Sequence, residues 1–99
     1  MARYDVYKIA LFDGLVVDVQ ADILEPLNTR MVVPLLPLGL APKPAKRLNP
    51  IFEVDGTDFV LVTQFASAVR NSELGQPIGT LEPHFAEITT ALDMLFQGF

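Results

Sequence analysis

Hydrophobic residues in this chain fall in short runs separated by turn-forming residues, which is the signature of strands. Arg3-Tyr4-Asp5-Val6-Tyr7-Lys8-Ile9 alternates loosely and is rich in strand formers. Asp13-Gly14 is a turn signal, and Leu15-Val16-Val17-Asp18-Val19-Gln20 resumes a strand, predicting a first hairpin. Side chains alternate along a strand with a period of two. Val17 and Val19 are therefore expected to face inward, with Asp18, Gln20 and Asp22 on the opposite, wetter face.

Pro26-Leu27-Asn28-Thr29 is a second turn. The nearly continuous apolar run from Arg30 to Leu36 reads as a central strand buried on both sides, with Pro34 marking a bulge or an unpaired position. Pro37 to Pro50 is rich in proline and carries Gly39, Lys43, Lys46 and Arg47. It reads as an ordered surface loop with room for one short helical turn. Ile51-Phe52-Glu53-Val54 and Phe59-Val60-Leu61-Val62-Thr63 flank Asp55-Gly56, a strong hairpin signal because glycine accepts the positive φ of a tight turn. A weaker strand is expected near Ala68 to Asn71, after which Gly75, Pro77 and Gly79 break the chain. Pro83 opens a helix, where its missing N–H costs nothing. Phe85, Ile88, Leu92, Leu95 and Phe99 follow at spacings of 3, 4, 3 and 4, one apolar stripe down a helix. Gly98 stands where a left-handed C-terminal cap belongs.

Composition narrows the picture. The 99 residues make one domain, spanning 1–99, and 51% hydrophobic content excludes disorder. A domain of this size buries only about two-thirds of the surface its unfolded chain exposes. Such an apolar chain is expected to cover part of itself with a partner or a second copy, so a homodimer is expected. The net charge of −5 opposes direct nucleic-acid binding, which needs a basic surface, and attachment to an anionic membrane. The absence of cysteine excludes disulfides, thiolate metal sites and cysteine nucleophiles, and fits a cytoplasmic location. The first residues lack the apolar core of a signal peptide, and the run from Arg30 to Leu38 is too short to span a bilayer.

Catalytic chemistry finds little support. His84 is the one histidine, and a lone histidine near a helix start is usually structural. Ser67 and Ser72 lack the glycine context of a nucleophile elbow. Glu53, Asp55 and Asp58 surround a hairpin turn, where acids are ordinarily solvated. No glycine loop is suited to phosphate and no ligand cluster to a metal, so no cofactor and no enzymatic activity are expected. Gln97-Gly98-Phe99 is more informative. An aromatic residue at the end of the helix either folds back onto the sheet or serves as a tip that fills a partner's pocket.

Three stretches together resemble the CcdB family of plasmid- and chromosome-borne toxins. They are Val17-Asp18-Val19-Gln20-Ala21-Asp22-Ile23-Leu24, Arg30-Met31-Val32-Val33-Pro34-Leu35 and Ala91-Leu92-Asp93-Met94-Leu95-Phe96-Gln97-Gly98-Phe99. The resemblance implies a mainly β (α+β) fold: an SH3-like barrel of antiparallel sheets with one long C-terminal helix, forming homodimers. It implies a toxin of a type II toxin–antitoxin system that binds the A subunit of DNA gyrase, traps the gyrase–DNA cleavage complex and is neutralised by a CcdA-type antitoxin. Carried over position by position, the gyrase-binding residues are Gln20, Asp22, Ile23 and Leu24 with Asp93, Phe96, Gln97, Gly98 and Phe99. The family pattern has Trp where this chain has Gln97, Asn at Asp93 and Ile at Phe99.

Two other functions compete. A MazF-like endoribonuclease toxin shares the fold, with Arg30, Arg47 or Arg70 available to stabilise a phosphorane; the net charge of −5 argues against it. A degenerate, inactive relative that only binds antitoxin is suggested by Gln97.

Overall fold

Asp55 and Gly56 both take positive φ, 51° and 79°, which gives the two-residue hairpin turn whose twist matches its strands. The turn joins β4 (Ile51–Val54) to β5 (Thr57–Leu61), with Val54 opposite Thr57 and Phe52 opposite Phe59. This computed structural model describes residues 2–10 and 14–98. The predicted Asp13-Gly14 turn lies partly outside them. The strands it was expected to join are present as β1 (Asp5–Lys8) and β2 (Leu15–Asp18), paired antiparallel.

The apolar run expected to be a central strand is one. β3 (Thr29–Pro37) pairs with β2 along one edge, and with β6 (Ser67–Arg70) and then β5 along the other. β6 covers Thr29 to Val32 and β5 covers Leu35 to Pro37. Pro34 therefore falls in the gap between the two partners, where a residue without an N–H is tolerated. Its carbonyl still accepts the Val62 N–H at 2.9 Å. β7 (Gly79–Thr80) adds to the far edge of β1, closing most of a barrel in the order β4-β5-β3-β2-β1-β7. Gly79 was expected only to break the chain; instead it pairs with Val6, with flanking bonds from Ile78 N–H to Val6 O and Leu81 N–H to Tyr4 O.

One face of the sheet carries the main core, built from Val6, Leu15, Val17, Val33, Leu35, Phe52 and Leu61 and sealed by Ile88 and Ala91 of the helix α1 (Phe85–Gln97). Ile88 is fully buried, and truncating such a side chain to alanine costs about 2–5 kcal/mol. Leu92 packs against this core and Leu95 is half-buried, but Phe85, in the first turn, is exposed. Of the predicted stripe, Ile88 is buried and Leu92 and Leu95 are partly buried, while Phe99 lies outside the described residues. A short 3-10 turn, Glu82–His84, contains Pro83 and leads into α1. Gly98 closes the helix in left-handed conformation, φ 82°, with its N–H on Met94 O. The result is the expected mainly β, SH3-like barrel with one C-terminal helix.

The other face is not wet. Tyr7, Ile9, Val16, Val32 and Leu74 form a second, smaller core, with Val69 packed against it. Asp18 lies two residues beyond Val16 on β2, and Arg30 two before Val32 on β3, so the period of two puts both on this covered face. Both are fully buried. The expectation that Asp18 faces water is corrected by the segment carrying Leu74, which covers what an open sheet would leave solvated.

The Pro37–Pro50 loop is ordered by a buried asparagine. Asn49 accepts the Ala45 N–H at Oδ1 and donates through Nδ2 to Leu61 O and Gln64 Oε1. Where one helical turn was expected there are two, closed by Ala41 N–H on Pro37 O at 3.1 Å and by Asn49 N–H on Ala45 O at 2.9 Å.

Candidate docking surface

Ile23 sits in a 3-10 turn, Asp22–Leu24, and is 86% exposed, far beyond what a side chain of that kind needs for folding. Leu24 and Leu27 beside it are also exposed. The backbone beneath them is held from three directions. Gln20 donates through Nε2 to Leu24 O at 3.3 Å and Thr29 O at 3.1 Å, and accepts the Met31 N–H at Oε1, 3.0 Å. From the N-terminal segment, Arg3 N–H donates to Asp22 Oδ1 at 2.8 Å. Tyr4 next to it takes positive φ, 75°, and its N–H reaches Asp18 O. From the far end of β6, Asn71 N–H donates to Asn28 O at 3.0 Å and Asn71 Nδ2 to Leu27 O at 3.1 Å. The loop from Ala21 to Asn28 is thus fixed while its aliphatic side chains point out.

The second predicted group lies at the end of α1. Phe96 is 73% exposed, Gln97 and Gly98 are exposed, and Asp93 is half-buried. Phe99 lies outside the described residues. Gln20, Asp22, Ile23 and Leu24 are brought together by one loop; Asp93, Phe96, Gln97 and Gly98 share one helix end. Among the described residues no hydrogen bond or ion pair joins the loop to the helix end. They are two groups on the chain, one on the loop and one at the helix end.

Beneath the loop is a buried ion pair, one member of which, Asp18, was expected on the wetter face. Arg30 Nε donates to Asp18 Oδ2 at 2.7 Å, and Nη2 lies 2.7 Å from the same oxygen. The second approach is misaligned for a hydrogen bond, so it acts as a charge contact, and Nη1 has no partner among the described residues. The other oxygen, Oδ1, accepts the Gln20 N–H at 2.9 Å. Burial pushes the Asp18 carboxyl above the usual carboxylate range, opposed by the Gln20 N–H and by Arg30. Burial likewise raises the Tyr7 phenol, aided by Asp5 and Asp18. The signal for the pair was present: an acid among valines on one strand and an arginine opening the apolar run of the next.

Other candidates for chemistry are dispersed. Arg30 is enclosed by its ion pair, and Arg47 and Arg70 are exposed on separate elements. His84 is half-exposed, stacks on Phe52 at 5.0 Å and meets Glu87 at 3.3 Å, so it packs the start of α1. Glu53, Asp55 and Asp58 are all exposed at the hairpin. No helix among the described residues is long and apolar enough to cross a membrane.

A nearly closed antiparallel barrel capped by one helix, with apolar side chains displayed on a fixed loop and at the helix end, is an SH3-like domain. The model of the family described as CcdB protein matches residues 3–98, and the chain belongs to that family. Membership places it among the toxins of toxin–antitoxin systems.

Proposed function

We propose that this toxin acts by binding the A subunit of DNA gyrase and trapping the cleaved-DNA complex, and that a CcdA-type antitoxin relieves it. The observation that carries the reading is the exposure of Ile23 and Phe96, at 86% and 73%, on the two patches that family analogy assigns to gyrase. Apolar side chains of this size, held by ordered backbone, act as anchors for a partner's pockets. The acidic net charge suits a protein target with basic side chains, and Asp22 and Asp93 form no ion pair among the described residues. A homodimer would present each patch twice to a twofold enzyme. Such a toxin works in the cytoplasm, needs no cofactor, catalyses nothing itself and has no need to touch membrane or bare nucleic acid.

The test is a gyrase assay on supercoiled plasmid. Inhibited supercoiling with cleaved DNA released on denaturing the enzyme is the expected result. Normal supercoiling with no cleaved product defeats the proposal.

A further inference from the structure

Gln20 is assigned by family analogy to the gyrase contact, yet every polar atom of its side chain is engaged inside the protein. Nε2 serves Leu24 O and Thr29 O, and Oε1 serves the Met31 N–H. These bonds join the two ends of the loop that displays Ile23. The Gln20 backbone is in turn fixed by Asp18 Oδ1, whose other oxygen is occupied by Arg30. We infer that Gln20, Asp18 and Arg30 are positioning residues of the docking surface: the buried ion pair sets the backbone of Gln20, and the Gln20 side chain holds the 21–28 loop in the conformation that presents Ile23. This rests on the gyrase-binding reading for the loop's purpose, but its structural half does not.

The chemistry favours this role over direct contact. Turning the Gln20 amide toward a partner would break three internal hydrogen bonds and leave the Met31 N–H unmet at the rim of the barrel. A loop already fixed before binding avoids the ordering cost that a mobile one incurs. The ion pair suits the task because a charged acceptor holds an N–H more firmly than a neutral one and the site is dry.

The experiment uses three variants in the otherwise unaltered chain. Gln20→Leu keeps the size and removes all three bonds. Gln20→Glu keeps the acceptor for Met31 N–H and loses both donations. Asp18→Leu with Arg30→Met removes both charges together, so that neither is left buried alone. In the free protein, amide exchange at Met31 is expected to accelerate about tenfold in Gln20→Leu and much less in Gln20→Glu. Methyl relaxation is expected to show a more mobile Ile23 in all three, while the Val33 and Leu35 methyls stay as rigid as before.

Against the gyrase A subunit, Gln20→Leu is expected to weaken binding about tenfold, and Ile23→Ala to cost less in that background than alone. Positioning is overturned if Ile23 is as ordered in Gln20→Leu as in the unaltered protein, or if the loop loosens and affinity does not change. If the unaltered protein does not bind gyrase, the functional reading fails; exchange and relaxation then still decide whether Gln20 orders the loop.

Discussion

Asp18 reaches the Gln20 N–H at 2.9 Å with the oxygen that Arg30 leaves free, and so links a buried charge pair to the base of an exposed loop. The arrangement is demanding. Two charges taken out of water are compensated by each other and by one backbone N–H, and Arg30 Nη1 has no hydrogen-bond partner among the described residues.

Breaking the pair from one side is therefore expected to be costly. Arg30→Met alone strands the Asp18 carboxylate in a dry site and should reduce stability by about 3–5 kcal/mol. The double variant Asp18→Leu/Arg30→Met should lose far less, because nothing charged is left unpaired. Urea unfolding of the three proteins compares them directly. Equal losses in the single and double variants would show that packing, not charge, dominates the site.

Acid should favour the folded state at Asp18. Burial raises its folded pKa above the unfolded value, against the pull of Arg30 and the Gln20 N–H. The folded chain then binds this proton more tightly than the unfolded chain does. The Asp18 contribution is fully present below the unfolded pKa, about 3.9, and is lost as pH rises through the folded pKa. Groups close enough to modulate it are Asp5, Tyr7 and Arg30. The stability of the unaltered protein minus that of Asp18→Asn, measured by urea unfolding, should increase as pH falls from 7 toward 4. A difference that shrinks over that range contradicts the assignment.

The helix end offers a cleaner separation of folding from function. Phe96 is 73% exposed, so Phe96→Ser should change stability by no more than about 0.5 kcal/mol. If Phe96 is an anchor, the same change should weaken gyrase binding by about 2 kcal/mol or more. Thermal unfolding and calorimetric titration, run on the same preparations, check the two halves.

Gly98 takes φ 82° with nothing within 4 Å of where a Cβ would lie, so backbone conformation alone opposes a side chain there. Gly98→Ala should destabilise by about 1 kcal/mol, and Gly98→Asn by less, since asparagine tolerates this region better. Denaturant midpoints for the two variants test the order.

Much of this architecture was legible in the residues, for reasons that are local. Asp55-Gly56 has few alternatives between two strand-forming runs, and Gly98 after a helical stripe has few others. Pro34 was recognisable as a bulge or an unpaired position, though not that it pairs with Val16 on one edge and on the other marks where β3 changes partners from β6 to β5. Long-range covering was not legible. Asp18 alternates with valines as a solvated residue would, yet its face carries a second core that includes Leu74 and Val69 from later in the chain. Gly79 looks like a breaker until β1 offers it an edge, and Phe85 fits the stripe yet is exposed. At the candidate site, Ile23 and Phe96 are exposed. The internal engagement of Gln20 depends on carbonyls and an N–H brought together by the fold, and no spacing in the chain announces it.

The most direct trial of the whole account is a calorimetric titration of the gyrase A subunit with the unaltered toxin and with Ile23→Asp, each shown to unfold at the same urea midpoint. The account predicts saturable binding by the first and none detectable by the second, because a charge would then face the pocket that Ile23 is proposed to fill. Equal affinity for both would contradict it.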